Sequence, residues 1–392
     1  MLPLEGITII SLEQAVAAPF ATRQLADLGA RVVKIERPSV GDFARDYDET
    51  VRGMASHFVW LNRSKESLTL DLKHPQARQI IHQLLEDADV FMQNLAPGAA
   101  ERLGLGPEVL AQHYPRLIMC GVSGYGASGP YRDKKAYDLL VQGETGLVSV
   151  TGTPETPAKV GISIADIAAG MYAFTGILTA LYQRERTGKG TVLEVSMFEA
   201  LGEWMGYPAY YAAYGGPPPP RAGASHATIA PYGPFHTGDG KQVNLGLQNE
   251  REWAQFCALV LEQPEMATDP CFDGNAKRVA NGEALHAMID AVFSQFTSEE
   301  VVARLDRAQI ANARMNTMQE FWEHPQLQAR KRWREVDSPV GQLQALLPPV
   351  TMCDVEPRMD PIPALGEQTE QILRSLGYQD EQINRLRAER VI

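Results

Sequence analysis

The chain has 392 residues, of which 44% are apolar and 21% charged, a composition typical of a globular protein with a large core. Its formal net charge of −12 excludes proteins that bind nucleic acid through an overall basic surface, so we expect no nucleic-acid partner. The length leaves room for two domains.

The N-terminus and the cysteines indicate the compartment. The sequence MLPLEGITII lacks the basic region and cleavage site of a signal peptide, so we predict a cytoplasmic protein. Cys120, Cys257, Cys271 and Cys353 form no CxxC pair, which favours reduced thiols and predicts no metal site. The best membrane candidate, 167–182, is shorter than the roughly 20 residues that a bilayer helix needs. We therefore predict a buried core helix there and no membrane contact.

Strand and helix patterns alternate in the first part of the chain. Runs rich in β-branched residues predict strands, and apolar residues at helical spacing predict helices. In chain order the predicted elements are strand 7–13, helix 17–30, strand 31–37, strand 67–72, helix 74–88, strand 89–94 and strand 116–123. Alternation of this kind builds βαβ units, so we predict an α/β fold with a Rossmann-like parallel sheet.

A proline-rich segment interrupts the second half of the chain. The apolar pattern continues through 191–207 and then gives way to YGGPPPPRAGASH (214–226), which is typical of a linker. We therefore predict a large domain over 1–213 and a smaller α+β domain over 224–325. Residues 326–392 are predicted to be a linker and C-terminal helices that return to the large domain.

The predicted small domain carries two local signals. FHTGDGKQVNLGL (235–247) predicts a hairpin that turns at Asp239-Gly240. The sequence Thr297-Ser-Glu-Glu300 predicts the capping box of a helix.

Two features suggest a dinucleotide site. GYGASG (124–129) matches GxGxxG, but the sequence from Pro130 predicts a loop where that fingerprint needs a helix. Arg37 ends a predicted strand, at the place where a dinucleotide-binding fold has the residue that recognises the ribose. An arginine there suits a ribose that carries a phosphate, and the neighbouring Glu36 could instead bind a ribose hydroxyl. A solvated strand end accounts for the same pattern, so the alternatives stay open.

One carboxylate, Asp166, lies in the highly apolar segment GISIADIAAG (161–170). Asp is a favoured N-cap, and the helical pattern from Ile167 predicts that Asp166 caps a helix. The helix dipole favours the anion, whereas apolar surroundings raise the pKa. An ionised, poorly solvated carboxylate is also a competent nucleophile, so the two roles are compatible.

Ordered segments across the chain carry a family resemblance. They are AAPFATRQLADLGARVVKIERPSVGD (17–42), NRSKESLTLDLK (62–73), QNLAPGAAERLGL (93–105), GYGASGPY (124–131), AYDLLVQGETG (136–146), the Asp166 segment, RERTGKG (184–190) and PIPALGEQTEQILRSLG (361–377). Together they resemble the class III CoA-transferases of the formyl-CoA and carnitine type. The resemblance implies an interlocked, ring-shaped homodimer that moves CoA between carboxylic acids, with acyl-CoA as substrate and no tightly bound cofactor.

The resemblance also implies roles for single residues, with Asp166 as the nucleophile. The CoA-binding residues that it implies are Val16, Ala17, Arg37, Leu70, Lys73, Asn94, Leu95, Arg102, Lys135 and Tyr137. A solvated surface charge is the alternative for each basic residue. Positions at strand ends and βα loops favour Arg37, Lys73 and Arg102 as ligands.

The acid substrate is predicted less directly. Val16 stands where the formyl-CoA type has Gln, which counts against formyl-CoA and oxalate chemistry. We expect a C4–C5 dicarboxylate such as itaconate, mesaconate or citramalate, with succinyl-CoA as donor. Arg45, Arg63 and His226 offer donors to a second carboxylate. Arg45 and Arg63 are equally explained as structural or CoA-facing charges, and a core or linker histidine is the commoner role for His226.

Two other functions compete with CoA transfer. A racemase of the same superfamily needs a base on each face of the substrate, and in that branch one base is a His. Tyr137 stands at that position here, and tyrosine is a poor base at neutral pH, which counts against a racemase. A non-catalytic acyl-CoA-binding protein is the second alternative. If the acyl group is hydrophobic, Trp204, Tyr207 and Tyr210 offer an apolar channel instead.

Overall fold

The computed structural model describes residues 1–215 and 219–392. It divides into two compact units. Unit 1 comprises Met1–Leu147, Val160–Tyr207 and Ala329–Ile392, and unit 2 comprises Val148–Lys159 and Pro208–Gln328. Residues 148–159 therefore group with unit 2, although the predicted large domain includes them. Part of the predicted linker, 216–218, lies outside the described residues.

The strands of the described residues are β1 Thr8–Leu12, β2 Arg31–Glu36, β3 Lys65–Thr69, β4 Val90–Gln93, β5 Ile118–Ser123, β6 Val192–Ser196, β7 Tyr232–His236, β8 Gln242–Gly246, β9 Ala311–Arg314, β10 Trp333–Val336 and β11 Leu343–Leu346. The helices are α1 Ala17–Asp27, α2 Ser56–Leu61, α3 Pro75–Glu86, α4 Ala99–Arg102, α5 Pro107–His113, α6 Asp138–Glu144, α7 Leu147–Val150, α8 Ile164–Thr187, α9 Met197–Trp204, α10 Gly206–Tyr210, α11 Glu250–Leu259, α12 Asn275–Ala280, α13 Gly282–Phe293, α14 Ser298–Arg307, α15 Met318–Trp322, α16 Pro325–Ala329, α17 Thr369–Ser375 and α18 Asp380–Ala388.

A six-stranded parallel sheet forms the centre of unit 1, in the order β3-β2-β1-β4-β5-β6. This is the strand order of dinucleotide-binding folds, whose switch point lies between the first and fourth strands. Alternate residues of β1 point to opposite faces of the sheet. Ile9 packs with α1, α8 and α9, whereas Ile10 packs with α3, α17 and α18. The predicted parallel α/β sheet is confirmed.

Two strands of this sheet differ from the prediction. β3 begins at Lys65, before the predicted 67–72, because Lys65 and Ser67 find buried polar partners inside the unit. β6 (Val192–Ser196) was not predicted, because its apolar residues continue the pattern of the long helix before it. It pairs with β5 and forms an edge of the sheet.

Helix α8 is longer than the predicted 167–182. It has 24 residues, and its most apolar window has a mean hydropathy of 1.5. By length and composition it could cross a membrane, but buried core helices of soluble proteins have the same length and composition. Its small residues, including Ala169 and Ala173, pack in the core of unit 1. The helix ends at Thr187 and is followed by Gly188, which has φ +70, the left-handed conformation typical of helix C-termini.

Unit 2 contains the antiparallel sheet β7-β8-β9, covered by α11, α13 and α14. The predicted hairpin is confirmed, since β7 and β8 pair and Gly240 in the turn has φ +75. The capping box is also confirmed: Thr297 accepts the backbone N–H of Glu300, whose side chain accepts that of Thr297. Local sequence patterns thus determine these two features.

Candidate active site

The carboxyl ends of β1, β2, β3 and β4 border a small cavity of about 30 Å³. Ligands of open α/β sheets bind at this edge, outside the switch point. The cavity is lined by Leu12, Glu13, Gln14, Ile35, Glu36, Arg37, Gly41, Asp42, Leu70, Leu72 and Leu95. Three of the sequence-predicted CoA-binding residues, Arg37, Leu70 and Leu95, are therefore brought together there.

A buried ionic network supports this edge. Lys34 Nζ lies 2.6 Å from Asp42 Oδ2, and Lys65 Nζ lies 2.6 Å from Glu13 Oε1. Burial opposes ionisation of Glu13, but the charges of Lys65 and Lys34 outweigh it and lower the pKa of Glu13 to about 2. Burial lowers the pKa of Lys65 to about 8 even though Glu13 faces it. Charges of both signs are thus paired inside the unit, as buried ions require.

The network and Asn94 hold the loop before α1. Ala15 has φ +60, and its N–H donates to Asp42 Oδ1 at 2.8 Å. Asn94 accepts from the Gln14 N–H at 2.9 Å and donates to the Gln14 carbonyl at 2.8 Å. Two side chains from other elements therefore keep this loop in place. Val16 and Ala17 follow it, both buried, at the start of α1.

Helix α1 approaches α8 closely near Asp166. A Cβ placed on Gly170 would lie 2.7 Å from the Ala17 carbonyl oxygen and 3.0 Å from the Phe20 ring. Glycine is required at this crossing because any side chain would separate the two helices. The start of α1 is therefore packed one helical turn beyond Asp166.

Asp166 is the third residue of α8, since the helix begins at Ile164 with Ser163 as its N-cap. The expectation that Asp166 itself caps the helix is wrong, because the helix starts two residues earlier. Burial, together with the negative charge of Asp138, raises the pKa of Asp166 from 3.8 to about 7. A carboxylate that is costly to ionise and close to a helix N-terminus suits nucleophilic chemistry.

Tyr47 is a further candidate site residue, which was not predicted from the sequence. Burial raises the pKa of its phenol, and the neighbouring Asp42, Asp166 and Tyr137 raise it further. Its ring also meets the edge of His57, with 5.5 Å between ring centroids. The sequence signal that could have indicated Tyr47 is its position, since it is an aromatic residue that follows the glycine-containing loop after β2. Tyr47 thus lies in the electrostatic neighbourhood of both Asp166 and Tyr137.

The predicted dicarboxylate-binding residues have other partners. Arg63 is buried and donates from Nε and Nη2 to the Asp27 carboxylate at 2.8 and 2.7 Å. Arg45 binds the buried Glu36 carboxylate through Nε and Nη2, both at 2.8 Å. These bidentate pairs favour the structural alternative for both arginines. Because Arg45 occupies the Glu36 carboxylate, the structure counts against the prediction that Glu36 binds a ribose hydroxyl.

His226 belongs to unit 2. Its ring stacks on Tyr232 with 5.2 Å between centroids, and its Nδ1 accepts from the Thr228 N–H at 3.2 Å. These local contacts account for its orientation.

The remaining basic residues of the predicted CoA set are exposed. Arg37 donates to the Gly41 carbonyl and lies over the Phe43 ring, while Arg102 lies against the carbonyl of Pro97. Lys73 and Lys135 are exposed as well. All four are accessible to an anionic ligand.

The GYGASG segment does not open a helix. No helix begins between β5 and Asp138 among the described residues, and Gly126 and Gly129 have φ +93 and +81. A Cβ on Gly124 would lie 2.3 Å from that of Ala136, so this glycine is required for the loop to pack. The dinucleotide fingerprint is therefore absent here. The described residues also contain no group of side chains with metal-binding geometry.

Comparison with known proteins identifies the family. The chain is 39% identical to an acetyl-CoA:oxalate CoA-transferase of Acetobacter aceti over 75% of each chain. It is 31% identical to the succinyl-CoA:glutarate CoA-transferase of Mus musculus, over 100% of this chain and 91% of the relative. The beta subunit of a succinyl-CoA–L-malate CoA-transferase of Chloroflexus aurantiacus is 33% identical, over 100% of this chain and 98% of the relative.

A solved structure agrees with these relatives. The crystal structure of a CaiB/BaiF family protein from Brucella suis matches with a TM-score of 0.85 and 32% identity, over 96% of this chain and 99% of that one. Residues 4–369 match the sequence model of the family described as CoA-transferase family III. The resemblance seen in the sequence is therefore confirmed, and the chain is a member of CoA-transferase family III.

Proposed function

We propose that this CoA-transferase moves CoA from an acyl-CoA thioester to a free dicarboxylic acid, with Asp166 as its nucleophile. One observation carries the proposal. A carboxylate in the first turn of α8 is kept poorly solvated, with a pKa of about 7, in the family's CoA-transferring fold. With a pKa close to neutral pH, the group ionises in the range where a transferase works, so the nucleophilic anion is both available and poorly solvated.

The reaction conserves charge and needs no proton. The Asp166 carboxylate attacks the thioester carbonyl, the carbon–sulfur bond breaks, and CoA leaves as the thiolate with the bonding electron pair. The thiolate attacks the aspartyl carbonyl of the resulting anhydride and releases the donor acid as a carboxylate. The acceptor carboxylate then displaces CoA from the aspartyl thioester to form a second anhydride. Attack of the thiolate on the acceptor's carbonyl gives the product and restores Asp166.

The residues around Asp166 support this sequence. Anhydrides hydrolyse readily, so the site must exclude water during the reaction. The buried apolar residues Ala165, Ala168 and Ala169 flank Asp166 in the chain and lower its solvation. The exposed Arg37, Lys73 and Arg102 offer cations to the phosphates of CoA. Binding at that remote end supplies energy that holds the reacting end in place.

The acceptor we propose is a C4–C5 dicarboxylate, such as itaconate, mesaconate or citramalate, with succinyl-CoA as donor. Relatives whose names specify glutarate and malate support a dicarboxylate. The apolar Val16 supports an acid longer than oxalate. Because Arg45 and Arg63 bind carboxylates of the chain itself, we propose that the hydroxyls of Tyr47 and Tyr137 donate to the substrate instead.

The test is a panel of free acids incubated with succinyl-CoA and followed by mass spectrometry. We expect new thioesters of C4–C5 dicarboxylates to form fastest, and faster turnover of oxalate, aryl or long-chain acids would contradict the substrate assignment. Asp166→Ala is expected to abolish transfer while CoA still binds. Turnover of that variant within about tenfold of wild type would refute the nucleophile. A racemase or a binding protein would yield no new thioester.

A further inference from the structure

We infer that Asp138 is a positioning residue that fixes the first turn of α8 and places a second negative charge beside the reacting carboxylate. The inference rests on the proposed role of Asp166. It concerns a residue that does not itself contact the substrate in our proposal.

The geometry of α6 carries the inference. Asp138, its first residue, accepts the backbone N–H of Ala165 at 2.8 Å through Oδ1. Its Oδ2 accepts from Gln142 Nε2 at 2.6 Å, and Gln142 Oε1 accepts the backbone N–H of Val160 at 2.9 Å. Gln142 is fully buried. One turn of α6 therefore holds the segment that leads into Asp166 at two points.

This clamp replaces a local helix cap. The N-cap residue Ser163 makes no side-chain hydrogen bond to the helix it begins. The free N–H groups of a first turn need acceptors, and Asp138 provides one from another helix. The position of the Asp166 carboxylate therefore depends on α6 as well as on α8.

Among the groups on the elements packed around Asp166, Asp138 is the one whose charge acts on the Asp166 carboxylate. α1 presents the apolar residues Val16 and Ala17 at its start, and the turn after β2 presents the phenol of Tyr47. Two carboxylates on the helices that contact α8 have their own partners. These are Glu199 on α9, which accepts from Ser196, and Glu144 on α6, which binds Lys134. The charge that acts on Asp166 is that of Asp138.

This charge favours the nucleophilic step. Two neighbouring carboxylates repel each other, so the anion of Asp166 is destabilised while it waits for substrate. When Asp166 becomes part of an anhydride, its charge passes to the CoA thiolate and the repulsion ends. Burial makes Asp166 harder to ionise and the charge of Asp138 adds to this effect, so Asp138 contributes to the pH at which the nucleophile becomes available.

The test compares pH profiles of kcat/KM for transfer. Asp138→Asn keeps an oxygen for the Ala165 N–H but removes the charge. We expect the acidic midpoint to move down by about half a pH unit or more, with a lower plateau at high pH. Asp138→Ser, which is neutral and smaller, carries the same expectation and decides the question if the Asn variant does not fold. Asp138→Glu keeps the charge and is expected to hold the midpoint near that of wild type.

Glu144→Gln is the matched control, because it removes the same charge from the same helix and is expected to leave the midpoint unchanged. If the neutral variants keep the wild-type midpoint while Asp166→Ala abolishes transfer, the inference about Asp138 is overturned and the proposed function stands. If Asp166→Ala retains transfer, the proposed function fails and this inference fails with it.

Discussion

The Asp166 side chain is exposed to opposing influences. Burial and the charge of Asp138 raise its pKa to about 7, whereas a helix N-terminus favours its anion. This rise in the pKa from 3.8 to about 7 corresponds to roughly 4 kcal/mol. Ionisation of Asp166 therefore lowers the free energy of unfolding by an amount of this order. The same poor solvation makes the anion reactive, so stability is lost where reactivity is gained.

The first prediction follows from the sign of this shift. The folded-state pKa lies above the ordinary value of 3.8, so the unfavourable contribution is absent below pH 4, grows as the pH rises, and is complete above about pH 7. Asp166→Asn is therefore expected to raise the melting temperature by several degrees at pH 8 and by a much smaller amount at pH 4.5. Thermal unfolding at the two pH values measures this, and an equal effect at both would contradict it.

The second prediction concerns the Tyr47 hydroxyl, which lies in the electrostatic neighbourhood of Asp166 and Tyr137. Tyr47→Phe keeps the ring packed against His57 but removes a donor from the reacting centre. We expect kcat for transfer to fall roughly tenfold or more, with CoA affinity little changed. Tyr182→Phe, on the exposed part of α8, is the control. Equal kinetics of the two variants would remove Tyr47 from the site.

The crossing of α1 and α8 depends on a single glycine. Gly170 allows the Ala17 carbonyl to lie against the helix, and this contact fixes the distance from the loop before α1 to Asp166. The loop itself is held by Asp42 and Asn94. Packing between helices and buried polar contacts thus determine the active-site geometry together.

The third prediction tests this crossing. Gly170→Ala is expected to lower the free energy of unfolding by about 1–3 kcal/mol, because a methyl group 2.7 Å from a carbonyl oxygen forces the helices apart. We also expect kcat to fall, since the start of α1 moves away from Asp166. Gly176→Ala lies on the same helix, and its nearest contact is at 3.6 Å. Unfolding and kinetic measurements that do not separate the two variants would contradict the close-packing argument.

The surface of unit 1 carries large apolar side chains close to the proposed nucleophile. Tyr137 is 72% exposed, Ile162 56% and Leu139 51%. Clusters of exposed apolar residues mark interaction surfaces in soluble proteins. They support the homodimer that the sequence resemblance implies.

The fourth prediction is that the protein in solution has twice the 43.1 kDa mass of one chain. Size-exclusion chromatography with light scattering measures it across a concentration series. We expect transfer activity to elute with the dimer. An active species with the mass of one chain would contradict the assembly.

Local sequence patterns predicted five of the six strands of the central sheet. β1, β2, β4 and β5 agree closely with the predicted strands, because their apolar runs are bounded by turn residues. β6 escaped prediction because five residues next to a long apolar helix show no separate period. The strand exists because the edge of β5 offers backbone partners, which is a property of the sheet.

The order of βαβ units, the hairpin, the capping box and the family followed from the sequence by itself, because each depends on residues close together in the chain or on ordered motifs. Tertiary structure decided the partners of Arg45 and Arg63, the place of Tyr47 near Asp166, and the start of α8 two residues before Asp166. Arg63 and Asp27 are 36 positions apart, and no local pattern indicates that they pair. The pKa of Asp166 likewise depends on burial and on a charge 28 residues earlier, and only the folded chain brings the two together.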